Sequence, residues 1–207
     1  MDISTGYGRA VAEVDRPRGA RFLMVLTHGS GGGTDSADLL AAREAALAAG
    51  GAVARVLQPY RVRGARAPGT PARQDAAWLE IIAALRAELR GLPLVQGGRS
   101  NGARLACRTA SQAAAAGALA LAFPLHPPGR ADASRASELA TAGTPVLVIN
   151  GERDPFGIPE ASATARVVVL PGEAHALRGG SVRITDEVGN WLSDLPGLKK
   201  RVRKSRN

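Results

Sequence analysis

The residues best suited to do chemistry lie in the segment Gly98-Arg99-Ser100-Asn101-Gly102, a Gly-x-Ser-x-Gly pattern that follows an apolar run. This pattern is typical of a sharp turn between a strand and a helix, where the serine hydroxyl is exposed as a nucleophile. Glycines two residues to either side suit such a turn because its strained backbone leaves little room for bulk. In a chain with 25 glycines the bare pattern can arise by chance, but its position between a strand and a helix favours a nucleophile.

A carboxylate and an imidazole follow two later strands. Asp154 comes soon after the apolar run 145–150, and Pro155 directs it away from helical geometry. His175 follows the next apolar run, 166–170. Taken alone, each has a simpler interpretation, as a turn or helix-capping aspartate and as a surface histidine.

The order of these residues along the chain tests whether they belong together. A serine on a turn of this kind is accompanied by an acid and then by a histidine, in that order. Of the three histidines, His28 and His126 precede Asp154, so only His175 fits. We therefore expect Ser100, Asp154 and His175 to form a catalytic triad.

A glycine-rich loop, Thr27-His28-Gly29-Ser30-Gly31-Gly32-Gly33, follows the first long apolar run. Acyl transfer needs backbone N–H donors aimed at the oxyanion of its tetrahedral intermediate. The N–H groups of Ser30 and Asn101 are the predicted donors, and His28 is expected to shape the loop through hydrogen bonds. The competing interpretation is a phosphate-binding loop, but the Gly-Lys-Ser/Thr ending of such loops is missing here.

Apolar runs alternate with alanine-rich helical patterns along the chain, and this alternation predicts how the loops come together. Strands are predicted at 21–27, 52–57, 93–97, 118–123, 145–150 and 166–170, with a further one near 9–14. Helices are predicted at 35–49, 71–90, 101–116, 134–141, 158–163 and 185–194. The pattern predicts an α/β fold, a mostly parallel doubly wound sheet of about seven strands flanked by helices. Its connections are too short for a lid domain, and its functional loops gather at the carboxyl ends of the strands.

Four segments carry a resemblance to a known family. They are His-Gly-Ser-Gly-Gly-Gly at 28–33, Gly-Gly-Arg-Ser-Asn-Gly-Ala-Arg at 97–104, Phe-Pro-Leu-His-Pro-Pro-Gly at 123–129 and Gly-Glu-Arg-Asp-Pro-Phe-Gly at 151–157. With these segments the chain resembles the α/β-hydrolase superfamily over residues 8–195. Within it, the chain is similar to a small cap-less branch that includes dienelactone-hydrolase-like bacterial proteins and relatives of the testis-expressed and NSL-complex proteins of animals.

The resemblance implies a nucleophile at Ser100, an acid at Asp154 and a base at His175. Dienelactone hydrolases proper use a cysteine nucleophile where this chain has Ser100. We expect a serine hydrolase that cleaves an ester or thioester of a small-molecule acyl substrate through an acyl-enzyme, with no metal or cofactor. The alternative is a non-catalytic binding or scaffold protein that keeps the fold, which a Ser100 hydroxyl outside hydrogen-bond reach of His175 would indicate.

The length of the chain suits one domain, predicted at residues 1–197. The distribution of charge predicts a basic tail after it, at residues 198–207. The 207 residues carry a formal net charge of +9, and six of the basic residues lie in the last nine positions. The tail has no apolar periodicity, so it is expected to be disordered and solubilising. Binding of nucleic acid through this tail is the weaker alternative, because aromatic residues make up only 3% of the chain and no nucleic-acid motif accompanies it.

The remaining reactive or charged residues have more than one interpretation. Cys107, the only cysteine, excludes an intramolecular disulfide and is expected to pack inward. Without a visible secretory signal or an apolar run of membrane-spanning length, we expect a cytoplasmic protein. His126 is expected either to line the pocket or to make structural hydrogen bonds. Four arginines near the predicted site would either attract an anionic ester or remain solvated: Arg61, Arg63, Arg66 and Arg99.

Overall fold

Eight strands form one sheet in the computed structural model, which describes residues 1–198. The strands are β1 (Asp2–Thr5), β2 (Gly8–Asp15), β3 (Leu23–Thr27), β4 (Ala52–Leu57), β5 (Leu94–Arg99), β6 (Gly117–Leu121), β7 (Val146–Gly151) and β8 (Ala165–Leu170), in the spatial order β1-β2-β4-β3-β5-β6-β7-β8. Strands β3 to β8 are parallel, whereas β1 and β2 pair antiparallel at one edge. The predicted fold class is thus confirmed, with β1 as an additional short strand.

Helices cover both faces of this sheet. They are α1 (Ala37–Ala48), α2 (Pro59–Val62), α3 (Pro71–Glu88), α4 (Asn101–Thr109), α5 (Ala136–Ala140) and α6 (Ser181–Asp194). Helices α1 and α6 pack together over one face, and α3, α4 and α5 contribute to the core on the other. No helix within residues 1–198 is long and apolar enough to cross a membrane.

The side chains of β3 show why the sheet needs a hydrophobic core on each of its two faces. Leu23 and Val25 pack in the cluster that contains Trp78 of α3, whereas Met24 and Leu26 point the other way. Successive residues of a strand face opposite sides of its sheet, so an uninterrupted apolar run needs cover on both. Trp191 of α6 lies in the second cluster, and both tryptophans are buried in the core.

Two predicted helices differ from the structure. The segment 158–163 is irregular rather than helical. Pro159 lacks a backbone donor there, and the Ser162 hydroxyl accepts hydrogen bonds from following backbone N–H groups. The helix predicted at 101–116 ends at Thr109, and the chain then turns through Ala114 at φ 49°.

The last described residue is Leu198, which ends a turn of 3-10 helix at Pro196–Leu198 and packs against the core. The predicted disorder of the basic tail, and nucleic-acid binding as the weaker alternative for it, concern the residues after Leu198, which lie outside the described part of the chain. The division into a domain at 1–197 and a tail at 198–207 stays a prediction.

Candidate active site

Ser100 lies on the tight turn that joins β5 to α4. Its backbone has φ 51° and ψ −115°, a conformation that residues with a Cβ rarely adopt. The Ser100 N–H donates to the carbonyl of Leu121 at 2.8 Å, which fixes the turn to the end of β6. This strained backbone is the one that the sequence pattern predicts for a nucleophile turn.

The two glycines that flank this turn allow it to pack against β3. A Cβ on Gly98 would lie 2.6 Å from the Thr27 carbonyl oxygen, and one on Gly102 would lie 2.7 Å from the carbonyl oxygen of His28. Both distances are shorter than any real contact of a Cβ atom. The glycines of the pattern therefore bring the start of α4 directly against the end of β3, where the glycine-rich loop begins.

The structure brings the three predicted triad side chains together from loops after β5, β7 and β8. The Nε2 atom of His175 lies 3.0 Å from the Ser100 hydroxyl oxygen, and its Nδ1 atom lies 2.8 Å from Oδ2 of Asp154. The Asp154 side chain is fully buried, while 20% of the His175 side chain is exposed. An unbroken chain of hydrogen bonds thus runs from a buried carboxylate to a partly exposed hydroxyl.

Two residues that the sequence interpretation missed hold the carboxylate and the imidazole. The Asn150 amide donates to the Phe123 carbonyl at 2.9 Å and reaches Oδ2 of Asp154 at 3.4 Å. The Phe156 N–H donates to the other carboxylate oxygen at 3.0 Å, and the Phe156 ring meets the His175 ring edge-to-face at 4.5 Å. The signal for Asn150 was a lone amide at the end of an otherwise apolar run, Val-Leu-Val-Ile-Asn.

Arg99, next to the serine, contacts the protein rather than the cleft. Its Nε donates to Oδ2 of Asp38 in α1 at 2.8 Å, and its Nη2 donates to the backbone carbonyl of His175 at 2.9 Å. Asp38 is completely buried and also accepts the N–H of Leu39 at 2.9 Å. The Arg99 guanidinium thus ties the histidine loop to α1, and these bonds favour a structural role over attraction of an anionic substrate.

Hydrogen bonds from the segment after β4 fix the glycine-rich loop. The buried His28 ring bonds the Gly29 carbonyl through Nδ1 at 2.8 Å and accepts the Gln58 N–H through Nε2 at 3.0 Å. Burial lowers the pKa of His28. The two hydrogen bonds confirm the predicted role of this ring in shaping the loop. The Tyr60 hydroxyl donates to the carbonyl of Ser30 at 3.0 Å, and burial raises the pKa of this phenol to about 12.

The other predicted arginines have different surroundings. Arg61 donates to the Gly32 carbonyl at 3.0 Å and so supports the glycine-rich loop. Arg63 donates to the Tyr7 carbonyl at 2.8 Å, and Arg66 is exposed.

Cys107 is fully buried, and burial raises the pKa of its thiol to about 12.

A cleft of about 230 Å³ opens beside the serine hydroxyl. Its lining residues are Ser30, Ser100, Asn101, Arg104, Pro124, Pro128, Arg135 and Phe156. Asn101 is the first residue of α4, so its backbone N–H has no acceptor within the helix. Ser30 and Asn101, the two predicted oxyanion donors, thus lie on the same cleft as Ser100.

Comparison with known proteins places this arrangement in a family. The family described as an alpha/beta hydrolase domain matches residues 20–179. No curated protein matches the chain.

Several solved structures share the fold. An alpha-beta serine hydrolase homologue from Coxiella burnetii is 15% identical, with a TM-score of 0.77 over 93% of this chain and 96% of that one. A serine hydrolase without a lid from Xanthomonas campestris is 18% identical, with a TM-score of 0.78 over 95% of this chain and 94% of that one. Dienelactone hydrolase from Anabaena variabilis is 18% identical, with a TM-score of 0.72 over 94% of this chain and 96% of that one.

Identities this low show a common fold and no more, whereas the family match spans most of the sheet and all three loops of the triad. The family match confirms the resemblance to the α/β-hydrolase superfamily that the sequence motifs carry, and the solved structures share its fold. The chain belongs to the alpha/beta hydrolase domain family.

Proposed function

We propose that the protein is a serine hydrolase that cleaves a carboxylic ester or thioester through an acyl-enzyme on Ser100. The observation that carries this proposal is the hydrogen-bond chain Ser100–His175–Asp154, with distances of 3.0 and 2.8 Å. Such distances are those of a nucleophile, a general base and the group that orients the base. A scaffold protein has no need of this alignment, so the distances favour the enzyme over the non-catalytic alternative.

The first half of the reaction forms the acyl-enzyme. The Ser100 oxygen attacks the carbonyl carbon while His175 Nε2 accepts the hydroxyl proton, and Asp154 stabilises the resulting imidazolium. The backbone N–H groups of Ser30 and Asn101 stabilise the oxyanion, and each such donor is worth about 3–4 kcal/mol in related chemistry. When the carbon–oxygen or carbon–sulfur bond breaks, the proton on Nε2 passes to the leaving alcohol or thiol.

The second half returns the enzyme to its starting state. Water gives a proton to Nε2 of His175 as it attacks the acyl carbon, and the same nitrogen then returns that proton to the Ser100 oxygen. The free acid leaves the cleft. The anchors described above support this cycle, because the Asp154 carboxylate accepts the Phe156 N–H and Arg99 holds the His175 backbone.

A fluorophosphonate probe tests the proposal without a choice of substrate. One covalent adduct per chain is expected by intact mass on the wild type and none on Ser100→Ala. Ser30→Ala is the matched control, since it deletes a hydroxyl at the same cleft but keeps the backbone N–H that the mechanism uses. Equal labelling of wild type and Ser100→Ala, or no adduct on the folded wild type, would refute the proposal.

Turnover is then measured with esters of short carboxylic acids and 4-nitrophenol, and with thioesters of the same acids and 4-nitrothiophenol. Asp154→Asn should lower kcat by a factor on the order of 10⁴, because the imidazole loses the partner that sets its tautomer. The circular dichroism spectrum of this variant serves as the control for folding. A drop of less than tenfold in a folded variant would assign the orienting role to another group.

A further inference from the structure

Two arginines line the cleft beside Ser100, Arg104 of α4 and Arg135 just before α5. The rest of the lining is uncharged. Buried or half-buried guanidinium groups are stable when carboxylates pair with them. The distribution of carboxylates around the cleft therefore decides which positive charge is available to a ligand.

Arg104 is already paired. Its Nε and Nη2 donate to the two carboxylate oxygens of Glu138 at 2.8 and 2.6 Å, a bidentate arrangement. The neighbouring Arg108 donates to Asp75 at 2.6 Å and lies 3.5 Å from Glu138. Two carboxylates thus pair with two guanidinium groups, and neither forms an ion pair with a third.

Arg135 is that third group. Its side chain makes a single hydrogen bond, from Nη1 to the Pro124 carbonyl at 3.3 Å, and no ion pair with any carboxylate among residues 1–198. Burial, and next the positive charge of Arg104, lower the pKa of Arg135. Its backbone N–H donates to the Leu125 carbonyl at 2.7 Å, which fixes the residue at the cleft.

We propose that Arg135 binds a carboxylate of the substrate, so that the enzyme prefers esters whose acyl chain or leaving group carries a free carboxylate. The planar guanidinium offers two parallel N–H donors to a planar carboxylate, and the shared cleft brings such a ligand beside Ser100. The anionic substrate considered from the sequence is thus assigned to a different arginine, on the loop after β6. This inference rests on the proposed function of Ser100.

Two pairs of esters, each differing only in charge, test the inference. Mono-4-nitrophenyl adipate and its methyl ester carry the difference on the acyl side, and 4-acetoxybenzoate and its methyl ester carry it on the leaving group. We expect the wild type to prefer the acidic member of at least one pair in kcat/KM by about tenfold, the effect of one charge-assisted hydrogen bond. Arg135→Gln should reduce this ratio to about one, and Arg135→Lys should keep part of it.

The matched control is Arg130→Gln, on the same loop. The Arg130 side chain is 67% exposed and lies at 4.0 Å from Asp132, so this variant should leave the ratio unchanged. A reduced ratio in both variants would mean long-range attraction and would overturn a binding role for Arg135.

A second measurement follows binding without turnover. In the Ser100→Ala background, monomethyl adipate should shift NMR signals of the cleft residues, whereas dimethyl adipate should not, and Arg135→Gln should abolish the shifts. Hydrolysis that depends on Ser100 but shows no preference within either pair would refute the inference and leave the proposed function standing. If no ester of either pair reacts in a manner that depends on Ser100, the proposed function fails and the inference fails with it.

Discussion

Replacement of Arg99 by methionine should destabilise the protein far more than loss of a surface ion pair. Methionine keeps most of the volume and the apolar stem of arginine but removes the charge that pairs with Asp38. The two groups are 2.8 Å apart, and the exposed fractions of their side chains are 17% for Arg99 and 0% for Asp38. Removal of one partner from a buried pair leaves an uncompensated charge, so the free energy of unfolding should fall by about 3–5 kcal/mol.

A second substitution separates this mechanism from simple loss of packing. Asp38→Asn removes the buried charge, so on the Arg99→Met background it should restore about 2 kcal/mol or more rather than add to the loss. Alone, Asp38→Asn should cost about 1–2 kcal/mol, since Arg99 keeps its bond to the His175 carbonyl and contact with water.

Urea unfolding followed by tryptophan fluorescence measures all four proteins, because Trp78 and Trp191 are buried on opposite faces of the sheet. At this chain length, a change of 1 kcal/mol should also move Tm by about 2–4 °C. A loss below about 1 kcal/mol in Arg99→Met, the value of exposed pairs, would refute the reasoning. Strictly additive effects in the double variant would refute it as well.

Other predictions concern packing, reactivity and pH. Gly189→Ala in α6, where a Cβ would have open space, should raise the free energy of unfolding by about 0.5–1 kcal/mol. Gly102→Ala should lower it by about 2 kcal/mol or more, because its Cβ would clash with the His28 carbonyl. Thermal melts of the two variants measure both effects. The buried Cys107 thiol should resist alkylation by iodoacetamide at pH 8 until urea unfolds the chain. Mass spectrometry measures the fraction of alkylated protein, and fast alkylation of the folded protein would contradict the burial of Cys107. Because burial lowers the pKa of His28, the unfolded chain binds a proton more readily than the folded one. The free energy of unfolding should therefore fall as the pH drops from about 6.5, the ordinary pKa of histidine, to the lower pKa of the folded state. The slope should be at most about 1.4 kcal/mol per pH unit. His28→Gln should show a shallower pH dependence of urea unfolding in that range, and identical slopes would exclude His28 as the source.

The sequence predicts the parts of the site that short motifs encode. Gly98 and Gly102 identify the turn at Ser100 because close packing of the start of α4 against β3 allows no side chain at either position. The positions of Asp154 and His175 follow from chain order and from the rule that functional loops lie at the carboxyl ends of parallel strands. Periodicity likewise locates the long strands and helices, because these are continuous patterns.

Contacts between segments that are far apart in the sequence could not be predicted from motifs or periodicity. The bond from Arg99 to Asp38 joins residues 61 positions apart, and nothing local in either segment indicates it. The sequence therefore suggested a substrate contact for Arg99 and passed over Arg135, whose lack of a carboxylate partner depends on how Glu138 is shared. The irregular segment 158–163 was missed for a different reason, since its alanine and glutamate suit a helix while Pro159 and Ser162 favour local turns.

The backbone of Ser100 implies a compromise between stability and catalysis. A residue with a Cβ at φ 51° and ψ −115° stores strain, on the order of 1–3 kcal/mol, which glycine would relieve. Ser100→Gly should consequently be inactive yet more stable than Ser100→Ala, although both lack the hydroxyl. Under the proposed function, selection for catalysis keeps at this position a residue that selection for stability alone would replace.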